Sequence, residues 1–85
     1  MMTREDIRRD VLSVLTTIAP EVDADDIVDD VLLREQVDLD SMDWLNFLLG
    51  IHKRLHVEIP ESDYAKLRTL ADVVGYVDSH APNVT

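Results

Sequence analysis

Aliphatic side chains recur at intervals of three and four in three separate stretches of this chain, a period that fits helices and not strands. Ile7, Val11, Val14, Leu15 and Ile18 form the first stretch, opened by a Thr3/Asp6 pair with capping-box spacing, and the pattern predicts a helix over 4–17. A second helix is expected to start at Asp40 or Ser41 and run to about His56, with His52, Lys53 and Arg54 at its negatively polarised end. The third carries Leu70, Val73, Val74 and Val77 behind a second capping-box pair, Thr69 and Asp72. With only 2 Gly and 3 Pro in 85 residues, the chain is long enough for one all-α domain around one modest core. Residues 1–80 are expected to make that domain, with Pro82 closing it and 81–85 a flexible tail.

The connections differ in character. Pro20 ends the first helix, and the stretch to Leu39 reads as a long loop anchored by Ile27, Val31, Leu32 and Val37, with one short helical turn near 33–36. Val57 to Pro60 breaks the helical period and reads as an extended connector. A short helix over 61–67 then carries Tyr64 and Leu67 inward.

Charge is distributed unevenly along the chain. The formal net charge is -10, and ten of the 18 acids fall between Glu21 and Asp43, where Arg34 is the single base. Such a segment repels nucleic acid and anionic membrane; it either solvates a loop or steers basic protein surfaces toward the serine at its end. Cysteine is absent, so any thiol chemistry needs an added group. No run approaches membrane-spanning length and the first residues carry no apolar signal core, which predicts a cytoplasmic protein without membrane insertion.

The second main helix is apolar over too wide an arc for one core contact. Phe47, Ile51, Trp44, Leu55, Leu48, Leu45, Leu49 and Met42 follow one another over roughly 220° at about 100° per residue. Either this helix is the most central of the bundle, or Phe47, Ile51 and Leu55 face the core while Met42, Leu45 and Leu49 are left for a partner beside Ser41. Ser41 is open to two readings as well, an N-cap or an exposed nucleophilic hydroxyl at a helix start.

Asp38-Leu39-Asp40-Ser41-Met42-Asp43 precedes the apolar helix, Val57-Glu58-Ile59-Pro60-Glu61 follows it, and Thr69-Leu70-Ala71-Asp72-Val73-Val74 comes last. In that order and spacing the chain resembles the acyl carrier proteins from about Ile7 to Val77. The resemblance implies a four-helix carrier bundle of three main helices and one short one with a long first loop, acting as a monomer and not an enzyme. It implies 4'-phosphopantetheine on Ser41, flanked by the motif positions Asp40 and Met42, and partner docking over Asp38, Met42, Asp43, Leu45, Asn46 and Leu49. Implied partners are a phosphopantetheinyl transferase and acyl-activating, acyltransferase or synthase enzymes with basic docking surfaces, in fatty-acid, polyketide or related biosynthesis. Peptidyl or aminoacyl carriers share these features, and a helical interaction module without a prosthetic group stays open.

This chain departs from the family pattern at three places. Asp38 replaces the usual Gly, Met42 replaces Leu, and Asn46, His52, Lys53 and Arg54 stand where the family commonly carries acids, which implies a specialised carrier. Other chemistries fit less well. A serine hydrolase would need a histidine near Ser41, but His52 is ~16 Å along the same helix, leaving only His80, and no nucleophile-elbow glycines flank the serine. An EF-hand read from Asp23 has Val28 in place of Gly and Arg34 in place of Glu, so no metal site is expected beyond weak divalent binding by the acidic loop.

Overall fold

A computed structural model describes residues 3–80, which fold into four α-helices and two 3-10 segments within 36 × 27 × 21 Å. Helix α1 spans Arg4–Ile18, and its capping box forms reciprocally: Thr3 Oγ1 accepts the Asp6 N–H, while Asp6 Oδ2 accepts the Thr3 N–H, both at 3.1 Å. Asp6 is held below the usual carboxylate range by those bonds to Thr3. The helix stops at Ala19, whose backbone has left the helical region at φ -123° and ψ 78°, as the following proline requires. Helix α3 spans Ser41–Leu55 and α4 spans Leu70–His80; α1 packs against both. A Cβ on Gly50 would lie 2.6 Å from Val14 Cγ1, so the missing side chain sets how closely α1 and α3 approach.

Ile7, Val11, Leu15, Phe47, Ile51, Leu70, Val73 and Val77 fill the centre, each at most 1% exposed. The expected C-terminal stripe is the buried face of α4. Thr69 and Asp72 cap that helix reciprocally, as their spacing predicts. At the end of α3, His56 turns into the left-handed region at φ 56°, a conformation histidine enters more readily than most side chains.

The long connection after α1 is more structured than expected. It holds a 3-10 turn at Ala24–Asp26 and the short helix α2 at Leu33–Gln36, where a helical turn was predicted. Its anchors are partly different residues. Ile27 and Val37 are buried as expected, but Val31 and Leu32 are exposed, and Leu33 and Leu39 take the core positions. The cause is a backbone bridge between Leu32 and Thr69, in which the Leu33 N–H donates to the Arg68 carbonyl at 2.9 Å and Leu33 is turned inward. Polar clamps complete the attachment. The Arg8 guanidinium grips the Asp29 carboxylate through two nitrogens at 2.8–3.2 Å, and the Gln36 amide accepts from Val28 N–H while donating to the Val28 and Val31 carbonyls.

The predicted short helix after Pro60 is a 3-10 helix, Glu61–Lys66, with Leu67 buried and Tyr64 half-buried behind it. It is tied to α4 by the Tyr76 hydroxyl, which donates to Asp63 Oδ2 at 2.8 Å. Burial, then the Asp63 carboxylate, pushes the Tyr76 phenol from 10.0 up to about 12. The Tyr76 bond, assisted by Lys66, in turn holds Asp63 below its ordinary range. A phenol raised on folding contributes stability fully present below its unfolded value and lost as pH rises through about 12; a depressed carboxylate contributes stability present above its unfolded value and lost as pH falls through its folded one. Denaturant midpoints of the parent and Tyr76→Phe should therefore differ by a plateau at neutral pH that closes in acid and in strong alkali. A difference independent of pH would show that the Tyr76–Asp63 bond contributes nothing. The expected tail over 81–85, with Pro82, lies outside the described residues.

Candidate functional site

Ser41 is the first residue of α3 and its side chain is exposed. The cap is not Ser41 but Asp40, which has extended backbone and accepts the Asp43 N–H on Oδ1 at 2.8 Å. Among the described residues the Ser41 hydroxyl enters no hydrogen bond. The hydroxyl thus sits at the positively polarised end of a fifteen-residue helix, at a position where an added phosphate ester would meet a favourable dipole. Asp38 makes the preceding turn without a positive φ: the Leu39 N–H folds back to the Val37 carbonyl at 3.0 Å, and the buried Val37 and Leu39 fix the turn from either side.

The wide apolar arc of α3 divides as the docking alternative requires. Trp44, Phe47, Leu48, Ile51 and Leu55 are buried, whereas Met42, Leu45 and Leu49 are 67%, 39% and 43% exposed. Asn46, Asp38 and Asp40 are exposed and Asp43 is half-buried. Helical spacing places Ser41, Leu45, Leu49 and Met42 on one face, with Asn46 beside them. Farther along the same side Lys53 is exposed, whereas Arg54 lies on the opposite side of the helix and pairs with Asp10 of α1 at 3.4 Å.

Two open cavities lie between α3 and the segment that returns toward α4. One, of about 490 Å³, is walled by Leu32, Trp44, Tyr64 and Leu67, with Arg34 and Arg68 among its lining residues. The other, of about 300 Å³, lies between Leu48 and Leu49 of α3 and the Glu58–Pro60 connector, and shares Tyr64 as a wall. The Arg34 guanidinium lies over the Trp44 ring, 5.3 Å from its centre, and Trp44 leans on Phe47 with ring centres 5.4 Å apart. Sequence reasoning passed over Arg34 and Arg68; a lone base in a segment of ten acids was the available signal for the first, and nothing local marked the second.

Histidines do not complete a hydrolytic pair. On the continuous helix α3, His52 is ~16 Å from Ser41, and its Nδ1–H donates to the Val57 carbonyl at 2.9 Å. His80 Nδ1–H donates to the Tyr76 carbonyl and the ring stacks on Tyr76 at 4.0 Å. Among the described residues no three His, Cys, Asp or Glu side chains converge on a metal position, and no helix is long and apolar enough to cross a membrane.

Residues 9–77 match the sequence profile of the family described as the phosphopantetheine attachment site. The acyl carrier protein of Lactobacillus acidophilus is 35% identical over 60 residues, covering 71% of this chain and 75% of that protein. That of Campylobacter jejuni is 32% identical over 79 residues, covering 93% and 96%. Among solved structures, the acyl carrier protein of Enterococcus faecalis superimposes with a TM-score of 0.73 at 26% identity, over 94% of this chain and 100% of that one.

Proposed function

We infer the working geometry from a premise: this chain belongs to the acyl carrier protein family, and its prosthetic group is covalently attached 4'-phosphopantetheine. In our reading Ser41 is the residue that carries it. The observation supporting this is the exposed, uncommitted hydroxyl at the first position of α3, held in place by a cap on its neighbour Asp40. The residues fit the group. Oγ is reachable by a modifying enzyme, the helix start favours the negative phosphodiester, and apolar cavities lie beside the helix that begins there. When bound, the arm supplies the thiol that a cysteine-free chain lacks. The protein's own part is to hold the attachment point rigid and present one surface to each partner, as a monomer without bond-making activity of its own.

That surface is read as the exposed α3 face around Ser41. Met42, Leu45 and Leu49 offer apolar contact, Asn46 offers hydrogen bonding, and Asp38 and Asp43 offer charge to basic surfaces of a phosphopantetheinyl transferase and of acyl-activating, acyltransferase or synthase enzymes. The test is intact mass after incubation with coenzyme A, magnesium and a broad-specificity phosphopantetheinyl transferase. One phosphopantetheine per chain, located by peptide mapping to 38–45, is the expected result; an unchanged mass would contradict it.

The docking residues make a separate prediction. Leu45→Ala and Leu49→Ala should each cost less than about 1 kcal/mol of stability, since a large part of each side chain already faces water, yet slow the transferase reaction several-fold. Asp38→Lys with Asp43→Lys should slow it further, and added salt should slow the parent and spare the reversed variant. Unchanged rates in all variants would leave the α3 face without a docking role.

A further inference from the structure

The larger cavity contains a charge arrangement that a store for plain hydrocarbon does not need. Eight bases serve a chain with 18 acids, and Arg4, Arg8, Arg9, Arg54 and Lys66 each have a carboxylate partner among the described residues. Arg34, Lys53 and Arg68 have none there, and two of those three line the same cavity. Arg34 lies in the most acidic part of the sequence and still turns to the Trp44 ring instead of a neighbouring carboxylate. The backbone bridge that joins the Leu33 N–H to the Arg68 carbonyl is what brings the two arginines to one place.

The geometry points to this cavity as the seat of an acyl cargo that carries its own carboxylate, with Arg34 and Arg68 receiving the charge and Leu32, Trp44, Tyr64 and Leu67 covering the carbon chain. A guanidinium drawn to an indole face and without a carboxylate partner among the described residues keeps its N–H donors available, and a planar carboxylate can take two of them. Arg34 and Arg68 are both solvent-exposed, so a neutral alkyl chain would gain only the apolar walls and leave the two cations to water. The inference rests on Ser41 as the tether point, which supplies a high effective concentration of cargo at the cavity. The arm's own phosphodiester is the other anion available, and it is fixed at Ser41.

The experiment compares three forms of the full chain, made by transfer from coenzyme A, pentanoyl-coenzyme A and glutaryl-coenzyme A. They differ at the end of the arm by nothing, a neutral five-carbon acyl group, or the same length with a terminal carboxylate. Thermal unfolding and the indole N–H signal of Trp44, the single tryptophan, are the readouts. The glutaryl form should melt about 4–8 °C above the pentanoyl form and move the Trp44 signal, and both differences should vanish in the Arg34→Gln/Arg68→Gln variant. Equal behaviour of the two acyl forms, or a difference that survives in the variant, would overturn the assignment. An arginine-dependent response already complete in the arm-only form would give the site to the phosphodiester and also overturn it. Failure of all three donors to add mass would instead remove Ser41 as the tether point, and this assignment with it.

Discussion

Ser41→Ala is expected to abolish phosphopantetheine transfer completely, with no measurable mass gain, while leaving thermal stability within about 0.5 kcal/mol of the parent. The two effects separate because of which residue caps α3. Asp40 supplies the capping oxygen, so removing the Ser41 hydroxyl breaks no bond of the fold, and alanine suits the first helical turn. Asp40→Ala is the mirror case. It should cost about 1 kcal/mol of stability through the lost cap while keeping the acceptor hydroxyl. The remaining serines do not share the position: Ser13 lies within α1, Ser62 within the 3-10 helix and Ser79 near the end of α4. A Ser41→Ala protein that still gained the full mass would send the arm to one of these and refute the site.

Phe47→Ala is expected to remove about 3–5 kcal/mol, a large fraction of the ~5–15 kcal/mol typical of a folded domain. Phe47 is fully buried on α3, and Trp44 rests on its ring at 5.4 Å. Deleting it leaves a void at the centre of the α1/α3/α4 packing that rigid helices close only in part. Chemical denaturation monitored at Trp44 would show the loss as a lower midpoint. The comparison with Leu45→Ala and Leu49→Ala makes the result informative, because all three residues lie on one helix and belong to one apolar arc. If all three variants lost similar stability, α3 would be a buried central helix with no face left over for partners.

Much of this architecture is written in short-range patterns. Two capping boxes, a proline stop after Ala19 and the three-and-four spacing of aliphatic residues depend only on neighbours within a turn or two, and the helices form close to where those patterns place them. The same is true of the candidate site as far as the position of Ser41 is concerned, whereas the width of the apolar arc beside it was legible but not which part of it is exposed. The acidic connection was legible only in part. Val31, Leu32, Leu33, Val37 and Leu39 are equally apolar, and no periodicity in a loop says which of them faces inward. A single backbone bridge to Thr69 decides it, together with Arg8 reaching Asp29 across the fold.

The sequence by itself therefore determined the main helices, the capping boxes that open α1 and α4 and the placing of a serine at or next to the start of α3, because each is a local matter of period, propensity and hydrogen bonding. Between Asp40 and Ser41 as the cap, two neighbours of equal local aptitude, the structure chose Asp40; only the tertiary structure decided which part of the α3 arc is left to water and that Arg34 and Arg68 share one cavity with Trp44. Those outcomes depend on how distant segments pack, and burial and long-range pairing are properties of the assembled chain that no local window contains.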